Sequence, residues 1–106
     1  MDVYNINNFK NGWFIGNFTP SVFKNPFFEV AHHHHKAGYC GQAHTHKIAQ
    51  EVTYIVKGSL VASGKHLKTG DMFVYSPHEI ANVMFVEDTD LIVIKWPSVP
   101  NDKHDV

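Results

Sequence analysis

The sequence predicts an all-β domain, a sandwich or barrel of short strands. Two observations carry this. Short apolar runs recur between turn signals at intervals of roughly eight to twelve residues. No stretch keeps the three- and four-residue apolar spacing of an amphipathic helix over about ten residues.

In chain order, residues 1–11 are rich in Asn and carry little pattern. Gly12 to Phe18 reads as a short strand bounded by glycine and by Thr19-Pro20. Lys24-Asn25-Pro26 is a turn, and Phe27 opens a longer strand that runs into four histidines, His32 to His35. Gly38 to Gly41 is a loop. Glu51 to Lys57 is a strand, and Lys57-Gly58-Ser59 turns tightly into Leu60-Val61-Ala62. Ser63-Gly64-Lys65 is a hairpin turn. Thr69-Gly70-Asp71 leads into Met72 to Tyr75, which Ser76-Pro77 ends. Ile80 to Val86 and Leu91 to Trp96 are the last strands, and Pro97 and Pro100 introduce a polar tail.

A chain of 106 residues is read as one domain, 1–106. Its core is modest, so a homodimer that hides further apolar surface is expected. A formal net charge of -1 gives no electrostatic case for nucleic acid or an anionic membrane. No apolar run approaches the length that crosses a membrane. The opening residues lack the charged and apolar regions of a secretory signal, and one cysteine permits no internal disulfide. A cytoplasmic location follows as the expectation. Nine histidines are the compositional oddity and invite a metal or a pH-switch reading.

The chemistry concentrates between Gly38 and Gly58. His44 and His46 stand one residue apart, so on an extended segment both rings point to one side. Glu51 opens the next strand, and a turn between the two would bring its carboxylate beside the rings. Two neutral nitrogens and one carboxylate oxygen suit zinc, iron, manganese, nickel or copper. The spacing Gly38, five residues, His44, one, His46, four, Glu51, six, Gly58 resembles the first signature motif of the cupin superfamily, at all five positions. The resemblance implies a small antiparallel β-barrel, the double-stranded β-helix or jelly roll, holding one divalent metal inside.

The second half of that signature runs Gly, five residues, Pro, one, Gly, two, His, three, Asn. Gly70 and Asp71 match its opening, and Pro77 sits one residue late. Aligned on Pro77, Glu79 takes the second glycine position and Asn82 the position of the ligand histidine, so the resemblance makes Asn82 a weaker fourth ligand. His78 reads as a solvated turn residue. His44, His46 and Glu51 alone would leave coordination positions for water or substrate, as in the facial triad of non-haem iron oxygenases or a water-activating zinc site. Residues 94–103, following Glu87 to Asp90, are similar to the end of small single-domain cupins encoded with surface-polysaccharide genes. That tilts the expected ligand towards a sugar-like or other small polar molecule.

Alternation splits the histidine run into two sets. Phe28, Val30, His32 and His34 form the more apolar set and are expected inside, where His32 or His34 would supply a ligand or a general acid/base. His33 and His35 are expected in a polar patch or at an interface. Tyr54 and Tyr75 are expected at the cavity mouth. Cys40, near His44, is a candidate nucleophile or, more simply, an inert loop residue or a stray extra ligand. Three readings follow: metal-dependent dioxygenase or isomerase chemistry on a small molecule, a non-catalytic ligand-binding or sensing barrel, and a metal-free interaction protein.

Overall fold

The computed structural model describes all 106 residues, and eleven short strands account for nearly all of its regular structure. They are β1 (Trp13–Gly16), β2 (Phe23–Lys24), β3 (Glu29–His35), β4 (His44–His46), β5 (Gln50–Lys57), β6 (Ser59–Ala62), β7 (Lys65–Lys68), β8 (Met72–Tyr75), β9 (Val83–Phe85), β10 (Thr89–Trp96) and β11 (Lys103–Asp105). The only helical pieces are two 3-10 turns, Ile6–Asn8 and Lys10–Gly12. No helix is long and apolar enough to cross a membrane.

The strands make two layers. One is a six-stranded sheet in the order β2-β1-β3-β10-β5-β8. The other joins β7-β6-β9 to the β4-β11 pair through bridges from Cys40 to Met84 and from His44 to Ala81. Ala31, Ile55, Leu60, Ala62, Phe85, Leu91 and Val93 fill the space between the layers as one apolar cluster. The turns follow local chemistry. Ser63 and Gly64, both at positive φ, make the two-residue loop of the β6–β7 hairpin. Gly58 has φ +119, and a Cβ there would lie 2.3 Å from Thr89 Oγ1, so only glycine fits between β5 and β6.

The strand alternation sorts the faces. Glu29, Ala31, His33 and His35 point inward from β3, as do Leu91, Val93 and Lys95 from β10 and Glu51 and Thr53 from β5. The expected parity of the histidine run is therefore reversed. His32 and His34 lie on the outer face, where both rings approach Asp90 Oδ1, at 3.5 and 2.9 Å. The cause is the outer face itself, which carries Val52, Tyr54, Val74, Ile92, Ile94 and Trp96. Both faces of this sheet are apolar, so apolarity could not choose between them. Tyr54 is exposed on that outer face. Tyr75 faces inward as expected, its hydroxyl 2.7 Å from Ser63 Oγ.

The tail also departs from expectation. Residues 103–105 are not a loose end but β11, paired antiparallel with β4 so that Lys103 lies opposite His46 and Asp105 opposite His44. Just before it, the buried Asp102 accepts hydrogen bonds from the backbone N–H groups of Lys47, Ile48 and Ala49, at 2.9 to 3.2 Å. Desolvation pushes its pKa up, but the three amides outweigh that and hold the carboxyl below the ordinary aspartate range. Its stabilising contribution is thus in place above the unfolded-state pKa and is lost as pH falls through the lowered folded value. Asp102→Ala leaves three amides without their acceptor. The expected outcome is a loss of roughly 1–3 kcal/mol in urea denaturation at neutral pH.

Candidate metal centre

β4 and β5 deliver the cluster. The connection between them spans residues 47–49, the segment whose amides Asp102 holds. Its reversal turns Glu51 back towards β4. The candidate ligand atoms of His44, His46 and Glu51 all lie within 4.8 Å of one another. His46 Nε2 is 3.8 Å from Glu51 Oε2. The two rings stand nearly perpendicular, with centroids 5.1 Å apart.

Hydrogen bonds fix which nitrogens are available. His44 Nδ1 lies 3.0 Å from the Gln42 carbonyl oxygen, which only accepts, so Nδ1 carries the proton and Nε2 keeps its lone pair. His46 Nε2 lies 3.5 Å from Lys95 Nζ, an ammonium that only donates. Nε2 of His46 therefore carries the lone pair, which accepts from Lys95 in this structure and lies 3.8 Å from Glu51 Oε2. Burial above all, then Lys95 and His44, lowers the His46 pKa to about 4, so the ring is neutral at physiological pH. Burial raises the pKa of Glu51, against the pull of Lys95, His44 and Lys103. Two imidazoles and one carboxylate are a donor set that fits a divalent transition metal.

Lys95 and Glu29 lie outside the motif and are unexpected members of the site. Lys95 is directly opposite Glu29 on β3 and Glu51 on β5, so three adjacent strands present a Glu–Lys–Glu row to the interior. Its ammonium lies 3.9 Å from Glu29 Oε1 and 4.8 Å from the centre of the Trp13 ring. All three charged side chains are largely buried, and burial raises the Glu29 pKa while Lys95 opposes it. A signal for Lys95 was present: it shares the phase of Leu91 and Val93, the inward residues of its strand.

Asn82 does not join the cluster. It is exposed, and only its backbone carbonyl is engaged, by the Ser63 N–H. Its neighbour Ala81 is the residue that faces the cavity, bridged to His44. A strict count from Gly70, with no allowance for the late Pro77, puts Ala81 at the histidine position of the second pattern. A methyl group thus stands where that pattern has a fourth ligand. His78 is an exposed turn residue at φ 74, and Cys40 is exposed and outside the cavity lining.

The cavity around the cluster has a volume of about 830 Å³. One wall is aromatic. Trp13 meets His33 edge-on, His33 meets His35, and His35 stacks on Tyr39 at 4.7 Å. Burial lowers the pKa of His33 to about 4, and burial also lowers that of His35. The inward histidines of the run are therefore neutral wall residues.

Similarity to known structures agrees with this architecture. No family model matches the chain, and no curated protein does. Among solved structures, a protein with a double-stranded β-helix domain from Klebsiella pneumoniae is 18% identical over 91% of this chain and 84% of its own, with a TM-score of 0.67. KdgF from a Halomonas species is 23% identical over 73% and 74%, with a TM-score of 0.67. An RmlC-like cupin from Desulfovibrio desulfuricans is 21% identical over 74% and 79%, with a TM-score of 0.62. A salicylate 1,2-dioxygenase and a dimethylsulfoniopropionate (DMSP) lyase are also among the similar structures, and this chain spans less than half of either. The chain has the double-stranded β-helix fold of the cupins.

The lowered histidines make stability depend on pH. A histidine held neutral in the fold contributes fully above its ordinary value, 6.5 here. That contribution is lost as pH falls towards the folded value of about 4. For the metal-free protein, urea denaturation is expected to show stability declining over that window. His33→Phe keeps the ring contacts and removes the titration, and should flatten the decline by on the order of 2 kcal/mol.

Proposed function

We propose that this chain is a metal-dependent cupin that performs chemistry on a small polar molecule bound in the cavity. The convergence of His44, His46 and Glu51 inside that cavity carries the reading. These three residues would hold one divalent ion, of iron, zinc, manganese or nickel. Bound there, it would supply a Lewis acid or a redox centre with positions open to a ligand, because Ala81 offers no donor. The chain's own groups do the rest. The aromatic wall offers rings for a ligand to pack against, and Lys95 and Glu29 provide a charged pair beside the cluster. Dioxygen-dependent oxidation and isomerisation of a sugar-like carbonyl compound are the two routes this donor set supports. A dioxygenase among the similar structures supports the first, and the likeness of the tail to cupins of polysaccharide gene clusters supports the second. Dioxygen uptake with iron(II), set beside product formation from a panel of sugars, separates them.

The metal assignment is tested directly. His44→Ala combined with His46→Ala should abolish stoichiometric metal on protein purified without a nickel column, while circular dichroism retains the β spectrum. Stoichiometric metal on that double variant would refute the assignment.

The same reading includes a homodimer. The outer face of the six-stranded sheet presents Tyr54 and Val74 at 41% and 53% exposure, beside Ile92 and Ile94 on the neighbouring strand. A second copy is the cover we propose for this face. Ile94→Lys places a charge at its middle and should shift sedimentation from dimer to monomer. A native chain that sediments as a monomer at micromolar concentration would remove the dimer from the reading.

A further inference from the structure

We infer that the metal-loaded cavity selects a small monocarboxylate, with Lys95 as the residue that binds its charge. The inference deepens the proposed function and rests on its metal assignment. It starts from the charged groups that share the interior. Glu29, Lys95 and Glu51 lie in one row across β3, β10 and β5, each side chain at most 16% exposed. Two carboxylates and one ammonium leave the row with one negative charge, and imidazoles that bind a metal do so as neutral donors. A divalent ion held by His44, His46 and Glu51 turns that into one positive charge. A buried net charge is costly, and a ligand that cancels it is favoured over one that does not.

The other charged groups of the lining do not reverse the sign. Asp102 and Lys103 are adjacent and offset each other, and Asp102 is spent on three backbone amides. Lys10, exposed at the mouth, adds further positive potential. One more anion is what the loaded cavity lacks.

The position of the ammonium says where that anion binds. Lys95 Nζ sits 3.5 Å from His46 Nε2, the atom that would face the ion, and 3.9 Å from Glu29 Oε1. The same nitrogen lies 4.8 Å from the centre of the Trp13 ring, a cation–π contact. A cation at the cluster repels the ammonium from His46 Nε2 towards Glu29. Lys95 lines the same cavity as the cluster and the Ala81 methyl. The three N–H donors of its ammonium can serve Glu29 and an incoming carboxylate together. A neutral ligand of the same shape leaves the surplus positive charge uncancelled.

Zinc-loaded protein titrated calorimetrically with acetate, glycolate and pyruvate, and with the three corresponding amides, tests this. The acids should bind tighter than their amides by roughly tenfold or more. Lys95→Met should erase that preference while still taking up one zinc, and Lys95→Arg should restore much of it. Because the variant loses a cation beside the ion, its zinc affinity should be at least that of the native chain. A native chain that takes up zinc but binds amides as well as acids, or binds neither, overturns the inference alone. So does a Lys95→Met variant that keeps the preference. A native chain that takes up no zinc overturns the metal assignment and the inference with it. The acid-against-amide comparison on the native chain stands even if both variants fail to fold.

Discussion

The grip of Asp102 on the backbone of Lys47, Ile48 and Ala49 is the constraint on which the site depends. His46 and Glu51 belong to different strands, and the peptide groups between them have no ladder partner of their own. Peptide N–H groups that leave a sheet need acceptors, and an ionised carboxylate is a strong one. One side chain from the far end of the sequence therefore fixes the reversal that sets two rings against one acid. β11 follows at once and lies along β4, so the strand that carries both imidazoles is held from its outer edge as well. The last five residues serve the geometry of a motif more than fifty positions earlier.

That dependence explains what was legible in the sequence and what was not. The pairing of His44 with His46 was legible because an extended chain repeats every two residues, whatever it packs against. Gly58 was legible because its turn demands a positive φ and tolerates no Cβ. The role of Asp102 was hidden, since its partners are backbone amides, which every residue but proline offers. β11 was hidden for a related reason: Lys103, His104 and Asp105 carry no apolar alternation, and their strand exists through its pairing with β4. The histidine run was misjudged because the rule that apolar residues point inward needs one face to be wet. In β3 the inward set holds Glu29 and two histidines, while the outward set begins with Val30. Asn82 was misplaced by anchoring on Pro77, when the glycine of the preceding turn was the better fixed point.

The interior that results is polar where a structural core would be dry. Glu29, Lys95 and Glu51 are desolvated together, and pairing among them recovers only part of that cost. Only 19 of 106 residues are buried, and just seven form the apolar cluster, so little spare stability is available to carry such a row. The proposed use resolves this. Charges that burial disfavours would become complementary once a dication and an anion enter, so binding free energy would offset part of the desolvation cost.

The same sheet then has two tasks that are physically one. β5 and β10 turn Glu51 and Lys95 to the cavity, and the adjacent residues, Val52 and Ile94, to the outer face. Side chains on the two faces of a strand share one backbone, so whatever restrains Val52 and Ile94 also restrains Glu51 and Lys95. A second copy packed on the outer face would add the apolar burial that a chain of this length lacks. It would also damp motion in the two strands whose inward residues must keep a fixed spacing. An apolar outer face backing an inner face that carries a charged row is unfavourable for a lone sheet. For a sheet covered on one side by its own copy and facing an ion and its ligand on the other, the apolar face would be buried and the charged row neutralised.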